Sequence, residues 1–277
     1  MNPHHAFPRL RRRLVAAVFV AAAVTAVSVV CAQQIWVGGG GGMRARWPQA
    51  DDFDGAFMFC RGFFRGGWAT DYPGADHNFS VRLAELTRIP VKFDPNRQPH
   101  HVVVSLTDPL LYRCPLLFML NIGSARFSPE EILRLREYFL KGGFLWVDDS
   151  WGSNAWNNWI RQMEQILPSA EFPMFDIPTT HPVMRTLYDV KAIPQVPNIH
   201  FWAGTGGQTS ERGRDSADVY VKGIQDSRGR LMVLMTHNTD ISDTWEREGE
   251  EPQAYFNLFS PTGYAIGVNV VLYAMTH

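Results

Sequence analysis

Two adjacent carboxylates close the run Gly142-Gly143-Phe144-Leu145-Trp146-Val147-Asp148-Asp149-Ser150-Trp151-Gly152, and they are the residues best placed to do chemistry. A short apolar run ending in acids matches the carboxyl end of a strand in an open α/β sheet, where ligands gather. Neighbours on a strand point to opposite faces, so Asp148 and Asp149 do not make a facing acid/base pair. One of them is expected to enter a crevice. Asp149 is the stronger candidate, with Ser150 and Trp151 beside it. Ser153 and Asn154 are natural caps for the helix that follows, which leaves the aspartates no evident structural duty. Ser150 lacks the Gly-x-Ser-x-Gly frame that exposes a serine nucleophile.

A second group is His237, Asn238, Asp240, Ser242 and Asp243. Oxygen-bearing side chains at alternate positions suit a hard cation such as calcium. The EF-hand spacing fails, however: no glycine follows Ser242, and Gly249 stands where a glutamate belongs. The favoured reading is a turn whose Asn and Asp side chains bond their own backbone, with contact to a polar ligand as the alternative. No metal or cofactor is expected. Trp245 beside this group suits a sugar or aromatic platform. Arg61, Arg65, Trp68 and Tyr72 lie in a glycine-interrupted stretch read as a loop after the first strand. Arginines beside aromatics clamp carboxylate or phosphate, or else pair with Asp71 and Asp76, the commoner outcome. His100, His101, His181 and His200 show no ligand spacing.

The elements that must position these residues alternate along the chain. Ala56 to Cys60 predicts a strand. Phe79, Leu83 and Leu86 recur at helical spacing from Asp76, and Pro90 stops that segment. Val102-Val103-Val104 and the run Leu116 to Ile122 predict strands. Ser128-Pro129-Glu130-Glu131 predicts a capped helix start, with Ile132, Leu135, Tyr138 and Phe139 on one face and Gly142-Gly143 as the stop. The strand Phe144 to Val147 follows. A helix after Ser153-Asn154 carries Trp156, Trp159, Ile160, Met163 and Ile166 on one side. Prolines break up Phe172 to Asn198, which reads as an ordered loop. Val219 to Val221 and Leu231 to Met235 read as a strand pair around the turn Asp226-Ser227-Arg228-Gly229. Gly263 to Met275 reads as a closing helix. This alternation predicts an α/β domain with a mostly parallel sheet covered on both faces.

The chain of 277 residues has a formal net charge of -1, which argues against nucleic acid as its main partner, since phosphate binding rests on a basic surface. Arg9, Arg11, Arg12 and Arg13 precede an uncharged stretch from Leu14 to Val30 and then Cys31-Ala32. This pattern predicts a signal peptide over residues 1–32 with cleavage after Ala32. The alternative is an uncleaved membrane anchor. Either one exports the remainder to the periplasm or beyond. Residues 33–46, with five glycines from Gly38 to Gly42, read as a flexible linker, and residues 47–277 as one domain. Export permits a disulfide between Cys60 and Cys114, but spacing alone leaves it open.

Several phrases occur together: Gly142 to Asp149, Asp176-Ile177-Pro178-Thr179-Thr180-His181-Pro182, Tyr188-Asp189-Val190, Asn238 to Trp245, and Gly267-Val268-Asn269-Val270-Val271-Leu272-Tyr273-Ala274. The pattern resembles the bacterial family known as domain of unknown function 4159 over nearly everything after Arg46. The resemblance implies a flavodoxin-like three-layer sandwich similar to class I glutamine amidotransferases, and it brings no assigned reaction. Amidotransferases place a cysteine on the strand-to-helix elbow. Here that turn reads Asp148-Asp149-Ser150-Trp151-Gly152, so glutaminase chemistry is not expected. The expected function is a non-catalytic module of the cell envelope that binds a small ligand or an envelope protein. The alternative is a hydrolase of a polar or glycan substrate, with Asp149 or His237 as acid or base.

Overall fold

The computed structural model describes residues 43–277 together with the dipeptide Trp36–Val37. The expected signal peptide, the anchor alternative and the glycine run Gly38 to Gly42 lie outside the described residues. Strand β1 (Trp36–Val37) pairs antiparallel with β2 (Met43–Arg44). Pro48–His277 is a separate compact unit.

That unit is an α/β domain built on a seven-stranded sheet of order β4-β3-β5-β6-β9-β8-β7. Its strands are β3 (Phe59–Phe63), β4 (His101–Ser105), β5 (Leu116–Leu120), β6 (Phe144–Asp148), β7 (Met174–Asp176), β8 (Tyr220–Gln225) and β9 (Leu231–His237). The first four of these and β9 are parallel, while β8 runs antiparallel to both its neighbours. The chain leaves β3 for β4 on one side and resumes with β5 on the other. In open α/β sheets loops diverge at the carboxyl ends of the strands where such a reversal occurs.

The helices are α1 (Gly74–Leu86), α2 (Pro129–Leu140), α3 (Gly152–Ile166), α4 (Ile199–Gly204), α5 (Asp243–Glu246) and α6 (Gln253–Thr276). Alternate residues of β6 explain the two layers. Phe144 and Trp146 join a buried cluster with Phe118, with Phe79 and Leu83 of α1, and with Ile266 and Val270 of α6. Leu145 and Val147 point the other way, and there Trp159 of α3 bonds Met235 Sδ at 3.1 Å. Helix α6 is long and apolar enough to cross a membrane by length and composition. In this domain it packs inward, with Val268, Val270 and Val271 buried.

Ser128 caps α2 with the expected reciprocal bonds to Glu131. Other boundaries move. The first strand runs Phe59–Phe63 instead of Ala56 to Cys60, so the buried Arg61 lies within it. Helix α3 starts at Gly152, so Ser153 and Asn154 lie inside its first turn and do not cap it. The 172–198 stretch is not all loop: it supplies the edge strand β7 and a 3-10 turn, Pro182–Met184. Helix α6 begins ten residues before Gly263 and runs through Pro261. Gly263 is needed there, since a Cβ would stand 1.9 Å from Thr244 Oγ1. Asn269 of α6 is buried and bonds the backbone of Leu187 and Tyr188, which brings two of the family phrases into contact.

Cys60 and Cys114 form a disulfide. It joins β3 to the residue just before the 115–116 entry into β5, and the segment it closes contains α1 and β4.

Candidate functional site

Five aspartates collect at the carboxyl edge of β3, β6 and β9. Asp148 is the last residue of β6, and Asp149 follows it. Asp240 and Asp243 lie just after β9, while Asp71 comes from the loop between β3 and α1. Asp71 (φ 60°), Asp149 (φ 49°) and Asn238 (φ 60°) all adopt left-handed backbone, a conformation that Asn and Asp tolerate best among residues with a Cβ. Strain of this kind gathers at functional sites.

Each carboxylate has its own environment. Asp148 is fully buried and accepts from Thr236 Oγ1 at 2.5 Å and from the Ser242 amide at 3.0 Å. Burial nevertheless pushes its pKa up to about 7. Asp149 accepts from Trp151 Nε1 at 3.0 Å. Burial, then the charges of Asp71, Asp148 and Glu211, push it well above the carboxylate range. Asp240 Oδ1 accepts from the Asp243 amide at 3.0 Å, so the expected side-chain-to-backbone turn is present. Ser242 Oγ lies 2.7 Å from Asp240 Oδ1 and 2.7 Å from Asp71 Oδ2. A hydroxyl has a single proton, so a carboxyl proton completes one of those contacts. Asp240 and Asp243 are likewise raised well above the usual range by burial and by the charge of Asp71.

The other sequence candidates separate into distinct roles. Arg61 is in strand β3 and fully buried, not in an overhanging loop. It bonds both oxygens of Asp76 and reaches Thr70 O at 2.7 Å. Tyr72 is buried with its hydroxyl 3.0 Å from His101 Nε2. Neither faces a ligand. Trp245 is no platform, because it is buried among Phe79, Phe118 and Trp146. Asn238 Oδ1 accepts from the Gly152 amide at 2.8 Å, and Asp215 Oδ2 from the Ser153 amide at 2.9 Å. Those two side chains therefore cap α3.

His237 and Asn238 also line a cavity of about 440 Å³ with Ser153, Trp156, Arg214, Asp215, Tyr220 and Lys222. His237 lies between the rings of Trp156 (4.9 Å) and Tyr220 (6.3 Å). Its Nδ1 is 2.6 Å from Ser150 Oγ. Ser150 is buried, and the Gly152 and Ser153 amides at the start of α3 already bond Asn238 and Asp215. Burial lowers the His237 pKa to about 4, which keeps the ring neutral at physiological pH. A base with a depressed folded pKa contributes stability above its unfolded pKa and loses it as pH falls through the folded one. His237 therefore contributes a loss of about 2–3 kcal/mol between about pH 6.5 and pH 4, opposed over the same range by the raised carboxylates, so it is read as the difference between the unmodified chain and His237→Asn. Chemical denaturation across that range checks it, and an unchanged pH profile in the variant would place the titration elsewhere.

Sequence reasoning missed Asp71 as a member of the carboxylate group, and it missed Trp156, Arg214, Asp215, Tyr220 and Lys222 as cavity walls. Only the alternation of Tyr220 and Lys222 on one strand face hinted at them.

The fold and site thus define an α/β domain with an acid-rich carboxyl edge. The model of the family described as domain of unknown function (DUF4159) matches residues 61–275, and the chain belongs to that family. No curated protein matches it.

Proposed function

We propose that the chain is an exported, non-catalytic binding domain of the bacterial cell envelope, with a flavodoxin-like, amidotransferase-like fold. Its ligand enters the cavity between β8, β9 and α3. The observation that carries this reading is the cavity wall itself. Trp156 and Tyr220 offer flat apolar surface, His237 offers a neutral ring nitrogen, and Arg214 supplies positive charge, while Lys222 is shared with Asp176. Arg214 is exposed and has no ion pair among the described residues. This combination suits a sugar that carries a carboxylate or phosphate. The Cys60–Cys114 disulfide supports an oxidising compartment, as does the signal-like N-terminus.

The hydrolase alternative has two features in its favour: the contact of the buried Ser150 hydroxyl with His237 Nδ1 at 2.6 Å, and the pKa of about 7 at Asp148, which is in the range of a general acid. Both oxygens of that side chain are engaged, and it is fully buried, so it cannot reach a substrate. Binding without turnover is the better reading.

The test is a thermal-shift screen with matched neutral and acidic sugars. Acidic sugars are expected to raise Tm, and Arg214→Ala should weaken them by about tenfold or more, the worth of a charge-assisted hydrogen bond. The variant's own Tm should stay within about 1 °C, since the side chain is exposed. Equal shifts from neutral and acidic sugars, or none at all, would defeat the reading.

A further inference from the structure

Asp71, Asp240 and Asp243 each direct a carboxylate oxygen to one place, and the three oxygens lie within 4.8 Å of one another. Asp243 is completely buried. One of its oxygens accepts from the Ile199 amide at 3.2 Å, while Oδ1 meets no hydrogen-bond donor among the described residues. The nearest cation, Arg247 Nε, stands 3.9 Å from that atom. Arg247 is also shared with Glu246 and Glu250. Arg61 is committed to Asp76. Asp148 and Asp149 add two more carboxylates beside the three. A bare buried carboxylate oxygen costs several kcal/mol, so a group this acidic must take up either protons or a cation from solution.

We propose that Asp71, Asp240 and Asp243 bind a hard divalent cation, with calcium the best fit. All three donors are carboxylate oxygens, with no imidazole or thiolate, which disfavours zinc or copper. Calcium–oxygen bonds of about 2.4 Å span oxygens up to about 4.8 Å apart and accept irregular geometry. Magnesium, at about 2.1 Å, requires the oxygens to close further into an octahedron. The ion would fasten the loop after β3 to the turn after β9, two segments held together at this point by Ser242. This inference goes beyond the cavity reading and uses none of its residues.

The experiment is calorimetric titration and thermal shift of the EDTA-stripped chain with calcium, then with magnesium and manganese. One calcium per chain is expected, with a saturable Tm rise of several degrees that is larger at pH 8 than at pH 5.5, because protons compete for the carboxylates. Asp243→Asn and Asp71→Asn should keep or raise the metal-free Tm while weakening calcium at least tenfold. Terbium luminescence excited through tryptophan and displaced by calcium provides a readout on the unmodified chain. Failure of the stripped chain to take up calcium stoichiometrically overturns the proposal, as does a calcium response that survives both variants. Arg214→Ala should retain the calcium response, so failure of the cavity reading and failure of this one are separate results.

Discussion

Asp76→Ala is expected to destabilise the domain by about 3–5 kcal/mol, because it strands the guanidinium of Arg61 in the core. Arg61 and Asp76 are both fully buried, and the guanidinium also lies over the rings of Tyr72 and Phe118. At about 2–4 °C per kcal/mol for a domain of this size, Tm should fall by about 10 °C. Arg61 also accounts for the position of the site. Its Nη1 donates to Thr70 O at 2.7 Å, one residue before the left-handed Asp71. An apolar replacement of the whole pair, Arg61→Met with Asp76→Leu, should recover much of the lost stability, since a buried ion pair gains little over good packing. The same double variant leaves Thr70 O without its donor, so the Asp71 loop should loosen and calcium affinity should drop. Thermal melts and calcium titrations on the two variants check both halves. A single Asp76→Ala variant that melts like the unmodified chain would sink the argument.

This pair also shows why the first strand was read three residues early. A charged residue inside an apolar run looks like the start of a loop, even though the pairing of Arg61 with Asp76 at the start of the next helix is foreseen from the sequence and is present. The strand-helix-strand succession was legible because it rests on local signals: the capping box at Ser128, the glycines after α2, the apolar runs of β5 and β6. The start of α3 was not legible, since its caps are Asn238 and Asp215 from distant segments. Asp149 is legible as an acid at a strand end, where position suggests a ligand, and the group from Asn238 to Asp243 as alternating oxygen-bearing side chains, with a self-bonded turn as the favoured reading. Asp71 was taken for a partner of arginine. Its contact with Ser242 spans 171 residues of sequence, and nothing local marks it. Trp245 misled for the opposite reason. Its neighbours in sequence are polar, yet the one-turn helix α5 rotates its ring into the aromatic core.

Reduction of the Cys60–Cys114 disulfide is expected to cost about 4 kcal/mol, from the chain entropy released by opening its loop. The two cysteines are 54 residues apart in sequence, and both are buried. The loop carries β4, an edge strand that pairs with β3 alone, and α1, whose Asp76 holds Arg61. Cross-linking removes many of the extended unfolded states in which this unit drifts from β5. Three samples separate that effect from packing: the oxidised chain, the chain unfolded and refolded under reductant, and Cys60→Ala with Cys114→Ala. Reduced chain keeps both sulfur atoms, so its Tm deficit of about 10 °C measures the cross-link, and the double variant should lose somewhat more through the space left behind. Because neither sulfur is accessible, reductant added to the native fold should act slowly, at the rate of opening. If reduced and oxidised samples melt within about 2 °C of each other, the β3-α1-β4 unit is held by its packing, and the disulfide is a mark of the compartment more than a support of the fold.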